Sequence, residues 1–299
     1  MPVIAINSLE KNVGVSSIAL TFGEKINFLS GVRTCIVELN ESPSFSYILE
    51  RTNKVEKSLN DIIPHLNQDY NNQGLLKVID FNSQKLKNSN LEIIYGSDYN
   101  LSDEQLQTYV NALKNIYEIV IIDYGNKPLP SVLEKNKDLN INVIQPTMKF
   151  ILKLLNNKDK YLLTNTKVLI NNFVGGGSDI SHFIKKELQG IDIIGKLPSS
   201  NTLVNCMLRG IINIDKGKYA LNLTKISEEL LDTLNIKSDK KLGFFNKLFN
   251  KKQDRNSNVS IKEPQKILLG EILVEEKLCT KEDITKCLEI QKKRLKGAY

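Results

Sequence analysis

The sequence predicts an α/β protein whose mainly parallel sheet is flanked by helices, followed by a small C-terminal α-helical module. Three observations carry that prediction. Short, β-branched apolar runs of strand length recur through the first 236 residues, amphipathic stretches with helical spacing lie between them, and 299 residues are enough to bury a sizeable core. Continuous apolar runs suit strands covered on both faces, and their alternation with helices points to successive strand–helix units.

The elements follow in order. VIAIN at 3–7 is the first strand, and Ile18, Phe22, Ile26 and Leu29 then recur at helical spacing over 16–29. TCIVEL at 34–39 and LEIIYG at 91–96 are strands, and Ser102 is the expected N-cap of a helix over 103–117. EIVIID at 118–123, INVIQ at 141–145 and KVLINNF at 167–173 complete the strand set, with further helices expected at 179–188 and 223–234. No convincing internal repeat is present.

Composition narrows the class. Hydrophobic residues make up 41% and charged residues 25%, which excludes fibrous, wholly disordered and channel-like chains. No run approaches the roughly 20 apolar residues that span a bilayer, and MPVIAINS carries no basic lead-in, so a cytoplasmic protein is expected. Cys35, Cys206, Cys279 and Cys287 are scattered, and with only His65 and His182 they form no zinc set; they read as buried or half-buried thiols.

The net charge of +7 is unevenly placed. Residues 1–236 hold 25 basic and 25 acidic residues, whereas 237–262 hold eight basic and two acidic ones. Three regions are therefore expected: a domain over 1–236, a basic connector over 237–262 and a helical module over 263–299.

The first strand–helix junction reads VIAINSLEKNVGVSSIALTFGEKI, a turn whose helix N-terminus can cradle an anion. It resembles the phosphate loop of the deviant Walker A ATPases, the MinD and ParA family, whose form is KGGVGKTT. The matching residues here are Glu10, Lys11, Asn12, Val13, Gly14, Val15, Ser16 and Ser17. The resemblance implies that Lys11 to Ser17 bind nucleotide and that Ser16 is a magnesium ligand. It also exposes two departures: Val15 replaces the lysine that grips the phosphates, and Glu10 replaces the signature lysine, with Lys11 one place late.

Further segments match the same family in order, over about 1–236. TCIVELNESPSF puts Glu38 and Asn40 at two acidic positions that serve magnesium and water, and both are altered. YEIVIIDYGNKPLP puts Asp123 at the Walker B position with Tyr124 to Pro128 as the second switch; the plainer reading of Asp123 is a strand-end carboxylate capping the next turn. LEIIYGSDYNLSDEQLQTYVNALKN precedes it much as the family's LxVLPGS segment does. KVLINNF places Asn171 or Asn172 at the base-recognising position, and IIGKLPSSNTLVNCMLRG resembles the family's GxIPxD segment. What the resemblance implies is ATP or ADP with magnesium at Ser16, Glu38 and Asp123, and a homodimer. Because phosphoryl transfer depends on positioned positive charge, the two lost lysines predict weak or absent hydrolysis, with Asp123 the one catalytic candidate.

In the connector, Phe244, Phe245, Leu248 and Phe249 gather on one helical face, with Lys247, Lys251 and Lys252 among the polar positions. A basic, aromatic-faced helix suits an anionic membrane surface and resembles the C-terminal membrane-targeting helix of MinD proteins. Packing on the domain, a solvated linker and DNA binding are the alternatives. DNA is the weaker partner, since phosphate contacts do not require four aligned apolar side chains. The expected location is cytoplasmic and peripheral, at the inner face of the plasma membrane.

After Pro264, KILLGEILVEEKLCTKEDITKCLEIQKKRLKG reads as two short helices, the second opened by the Thr280 and Asp283 capping pattern. It resembles the repeat in the N-terminal domain of type II secretion and type IV pilus assembly ATPases. The docking residues that this resemblance implies are Leu269, Gly270, Leu273, Ile284, Leu288 and Gln291. Some copies of that repeat bind cyclic di-GMP through an arginine; here Leu268 stands in its place, Lys277 replaces the second glycine and one copy is present, which argues against that ligand. The whole chain resembles the pilus-assembly localisation ATPases of the TadZ/CpaE type. The expected function is a pseudo-ATPase or nucleotide-binding scaffold at a pilus or secretion assembly; the competing one is a working ATPase in division-site positioning or DNA partitioning.

Overall fold

A computed structural model describes residues 1–50, 57–67, 69–86, 89–96, 101–173, 184 and 186–237. These fall in the first of two units into which the chain divides, Met1–Leu242 and Gly243–Tyr299.

Eight strands form one sheet: β1 Val3–Ser8, β2 Thr34–Glu38, β3 Gln84–Lys85, β4 Leu91–Ile94, β5 Ile119–Gly125, β6 Leu139–Ile144, β7 Thr166–Phe173 and β8 Ile193–Pro198. Their order is β3-β4-β2-β5-β1-β6-β7-β8, parallel throughout except for β3 against β4. The six predicted strands are all present. Two more complete the edges: β3 is two polar residues, and the apolar run of β8 is interrupted by Gly195 and Lys196. Gly195 has a packing reason, because a Cβ there would meet the Ile226 side chain at 2.5 Å.

The helices described are α1 Val15–Ser30, α2 Phe45–Leu49, α3 Leu59–Ile62, α4 Gln73–Asn82, α5 Asp103–Ile116, α6 Ser131–Asn136, α7 Met148–Asn156, α8 Lys158–Tyr161, α9 Asn201–Met207 and α10 Gly217–Thr233. In α1 the predicted face of Ile18, Phe22, Ile26 and Leu29 is buried. Gly23 lets this helix lie close to the sheet, since a Cβ there would meet Ile36 at 2.3 Å. Ser102 caps α5 in a reciprocal box with Gln105, as its position before the apolar periodicity predicts. The last predicted helix begins six residues early: Tyr219 and Ala220 extend its buried face, but Gly217 and an N-cap without a side-chain bond hide its start. Most of the helix expected over 179–188 lies outside the described residues, as do all of the 263–299 module and all but Lys237 of the connector.

Two apolar clusters cover the sheet. One includes Phe22 and Ile26 of α1 with Leu223 and Leu230 of α10, and the other includes Tyr109 and Leu113 of α5 with Ile79 of α4. Burying one such side chain stabilises the fold by about 2 kcal/mol, so the doubly covered parallel sheet follows directly from the apolar strand runs. Strands running in one direction bring the ends of β1, β2, β5 and β7 together at one sheet edge, beside the start of α1.

Candidate functional site: the loop before helix α1

The turn between β1 and α1 is built on two left-handed residues, Asn12 at φ 60° and Gly14 at φ 93°. Asn tolerates this conformation, and Gly14 is required on a second count because a Cβ would stand 2.7 Å from the Asn171 amide nitrogen. Gly14 offers no side chain to the first-turn N–H groups of α1, which among the described residues leaves them available to an anion.

The loop borders a cleft of about 460 Å³, the size of small-molecule sites. Lys11, Asn12, Val13, Gly14, Val15, Ser16 and Ser17 all line it, together with Glu10, Asn40 and Gly125. Ser42, Ser44 and Ile48 line it as well; their run carries no periodicity or charge pattern that marks them in the sequence.

Asp123 lies two residues before the end of β5, whose last residue Gly125 lines this cleft, and is fully buried. Its Oδ1 accepts the Gly125 N–H at 2.9 Å, so the turn-capping reading is realised, while its Oδ2 has no hydrogen-bond partner among the described residues. Burial pushes the carboxyl up to about 6, against the nearby Ser16 hydroxyl, the Gly125 N–H and the Asn40 amide. Asn40 donates to Ser16 Oγ at 3.5 Å and accepts the Ser42 N–H at 3.1 Å. An orphaned buried carboxylate oxygen beside a serine hydroxyl fits a hard divalent cation such as magnesium.

Glu38 is placed differently from its expected role. Its Oε1 accepts the N–H groups of Ser44 and Phe45, capping α2, and its Oε2 accepts the Gly96 N–H at 3.0 Å. The carboxylate is thus occupied by three backbone donors, although its strand position is in register with Asp123. Burial and the Asp123 charge push it up to about 7, with those donors opposing.

The two asparagines of β7 also separate. Asn171 is buried and donates to the Val13 carbonyl at 2.8 Å, pinning the loop, and its Oδ1 has no hydrogen-bond partner among the described residues. Asn172 is exposed, at φ 54°, and does not line the cleft.

At the cleft mouth Glu10 pairs with Lys153 of α7 at 3.0 Å. Sequence reading missed Lys153, because no local signal links residues 143 positions apart. Val15, at the position of the phosphate-gripping lysine, is 7% exposed and belongs to the α1 core cluster. Among the described residues no group of three acidic, His or Cys side chains forms a metal cluster, and no helix is long and apolar enough to cross a membrane. The membrane candidates Phe244, Phe245, Lys247, Leu248, Phe249, Lys251 and Lys252 and the docking candidates Leu269, Gly270, Leu273, Ile284, Leu288 and Gln291 lie outside the described residues.

No protein-family model and no curated protein matches the chain in sequence. Solved structures do match it. It is similar to a ParA family ATPase from Chlorobium tepidum, with a TM-score of 0.63 at 17% identity, covering 76% of this chain and 98% of that one. It is also similar to a putative plasmid partition protein from Borrelia burgdorferi bound to AMPPNP, with a TM-score of 0.60 at 17% identity over 77% and 98%. A third is the septum site-determining protein MinD from Pyrococcus horikoshii, complexed with Mg-ADP, with a TM-score of 0.59 at 15% identity over 77% and 95%. At such identities the likeness establishes the fold.

Proposed function

Because the chain has the MinD/ParA type of P-loop NTPase fold, we propose that it is a nucleotide-binding localisation or scaffold protein that hydrolyses ATP weakly or not at all. One observation carries this reading. The anion-binding backbone of the loop, Ser16 and the orphaned Asp123 oxygen are intact, while Val15 is packed into the core where transfer chemistry needs a cation.

The bound ligand is ATP or ADP with magnesium; two of the similar structures hold AMPPNP and Mg-ADP. A magnesium ion at Ser16 and Asp123 supplies charge neutralisation for the phosphates. The loop amides bind and orient the ligand, Asn171 fixes the loop from behind, and Asn40 holds Ser16 from the side.

The basic segment over 237–262 anchors the protein to an anionic membrane surface, and the module over 263–299 recruits components of a type IV pilus or type II secretion-like assembly. Both assignments rest on sequence alone, on the Phe244 to Phe249 face and on the resemblance of Leu269 to Gln291 to secretion-ATPase repeats. The alternative is an active ATPase in division-site positioning or DNA partitioning. Lys11 favours it, as an exposed lysine of the cleft lining next to the missing signature position. Equilibrium titration of the full chain with Mg-ATP and Mg-ADP tests the shared premise: saturable, magnesium-dependent binding is expected, and no binding reduces the core to a scaffold without a ligand.

A further inference from the structure

We infer that the cleft selects nucleoside diphosphates over triphosphates, and that Glu10 sets this preference. The inference rests on the cleft being a nucleotide site and concerns which nucleotide it holds.

The anion cradle consists of neutral N–H groups at the start of the 16-residue helix α1. A second, independent sign of a ligand is the fully buried Asp123 carboxylate near Ser16, whose Oδ2 has no hydrogen-bond partner among the described residues. The charged side chains lining the cleft are Glu10 and Lys11, one of each sign, and the buried carboxylate beneath adds a negative charge. Position 15, where a lysine would reach the ligand, is an apolar side chain facing the core.

Lys153 does not add a free cation. Its Nζ is 3.0 Å from Glu10 Oε1, and Glu10 keeps a side-chain exposure of 29% at the mouth of the cleft. A third phosphate brings at least one more negative charge to a lining with no net positive charge. It must either stand against Glu10 or draw Lys153 away and leave Glu10 unpaired. Both arrangements cost Coulomb energy in a partly desolvated cleft. A diphosphate held by the loop amides, with its cation at Ser16 and Asp123, avoids the choice. The pair is partly exposed, so the effect is one of preference and not of exclusion.

The test is the ratio of dissociation constants for Mg-ATP and Mg-ADP, measured by calorimetry on the full chain, the Glu10→Gln variant and the Lys153→Ala variant. ADP is expected to bind about tenfold more tightly. Glu10→Gln should narrow the ratio by strengthening ATP binding, and Lys153→Ala should widen it by baring the Glu10 charge. Circular dichroism verifies that both surface variants fold. Equal affinities, tighter ATP binding, or a ratio that ignores both substitutions overturns the inference while leaving the nucleotide site intact. Binding of neither nucleotide removes the site and the inference together.

Discussion

Asn171 and Val13 are 158 residues apart, yet the side-chain amide of Asn171 donates to the Val13 carbonyl at 2.8 Å and ties the end of β7 to the middle of the phosphate loop. Around this tether Asn12 and Gly14 hold left-handed conformations and Lys11 and Asn12 are exposed, while Val13 itself is buried in the core. Asn171→Ala leaves the Val13 carbonyl without its partner. It is expected to cost about 1–2 kcal/mol in thermal unfolding and to weaken nucleotide binding more than that loss of stability alone explains. An unchanged affinity in a folded variant would show that the loop does not need this tether.

Val15→Lys returns a cation to the loop at the expense of the core. The side chain is 7% exposed and packs in the α1 cluster, so the variant should lose roughly 1–2 kcal/mol of stability. Its affinity for ATP should nevertheless rise. Denaturant titration and calorimetry on the same protein separate the two effects.

Asp123 makes stability depend on pH in a defined direction. Burial raises its folded-state value from 3.8 to about 6. The folded protein therefore holds the proton more tightly than the unfolded chain, and the associated stability is complete below about pH 4 and lost as pH rises through about 6. Asp123→Asn cannot ionise, and its stability relative to the parent should grow by roughly 3 kcal/mol across that window, then level off. Glu38, pushed to about 7 in part by the Asp123 charge, moves back toward its ordinary value in the variant and so adds to the difference in the same direction. The same variant should lose the magnesium dependence of nucleotide binding.

A half-buried polar cluster at the opposite ends of the strands gives a control away from the cleft. Arg33 makes two hydrogen bonds to Glu92, at 2.9 and 3.0 Å, and stacks over the Tyr117 ring. Tyr117 and Ser83 both donate to Glu92 Oε2. Glu92→Ala removes the shared acceptor and is expected to cost about 3 kcal/mol in denaturant unfolding while leaving nucleotide affinity unchanged.

Much of this fold is legible in the sequence because the doubly covered sheet forces apolar runs into β1, β2, β4, β5, β6 and β7. The same pattern is silent about β3 and β8, edge strands with less to bury. In the site, the phosphate loop and Asp123 stand out through their spacing along the chain. The actual uses of Glu38 and Asn171 do not, because a carboxylate capping α2 and an amide pinning a distant loop are decided by register and close packing. Lys153 is invisible for the same reason: it meets Glu10 through the turn from β6 into α7 and through no periodicity of its own.

The central claim, a site that binds nucleotide without turning it over, is tested most directly by measuring phosphate release from saturating Mg-ATP by the purified full chain beside its Asp123→Ala variant. The account predicts saturable nucleotide binding with phosphate release at background in both proteins. A substantial rate in the parent that Asp123→Ala abolishes would contradict it.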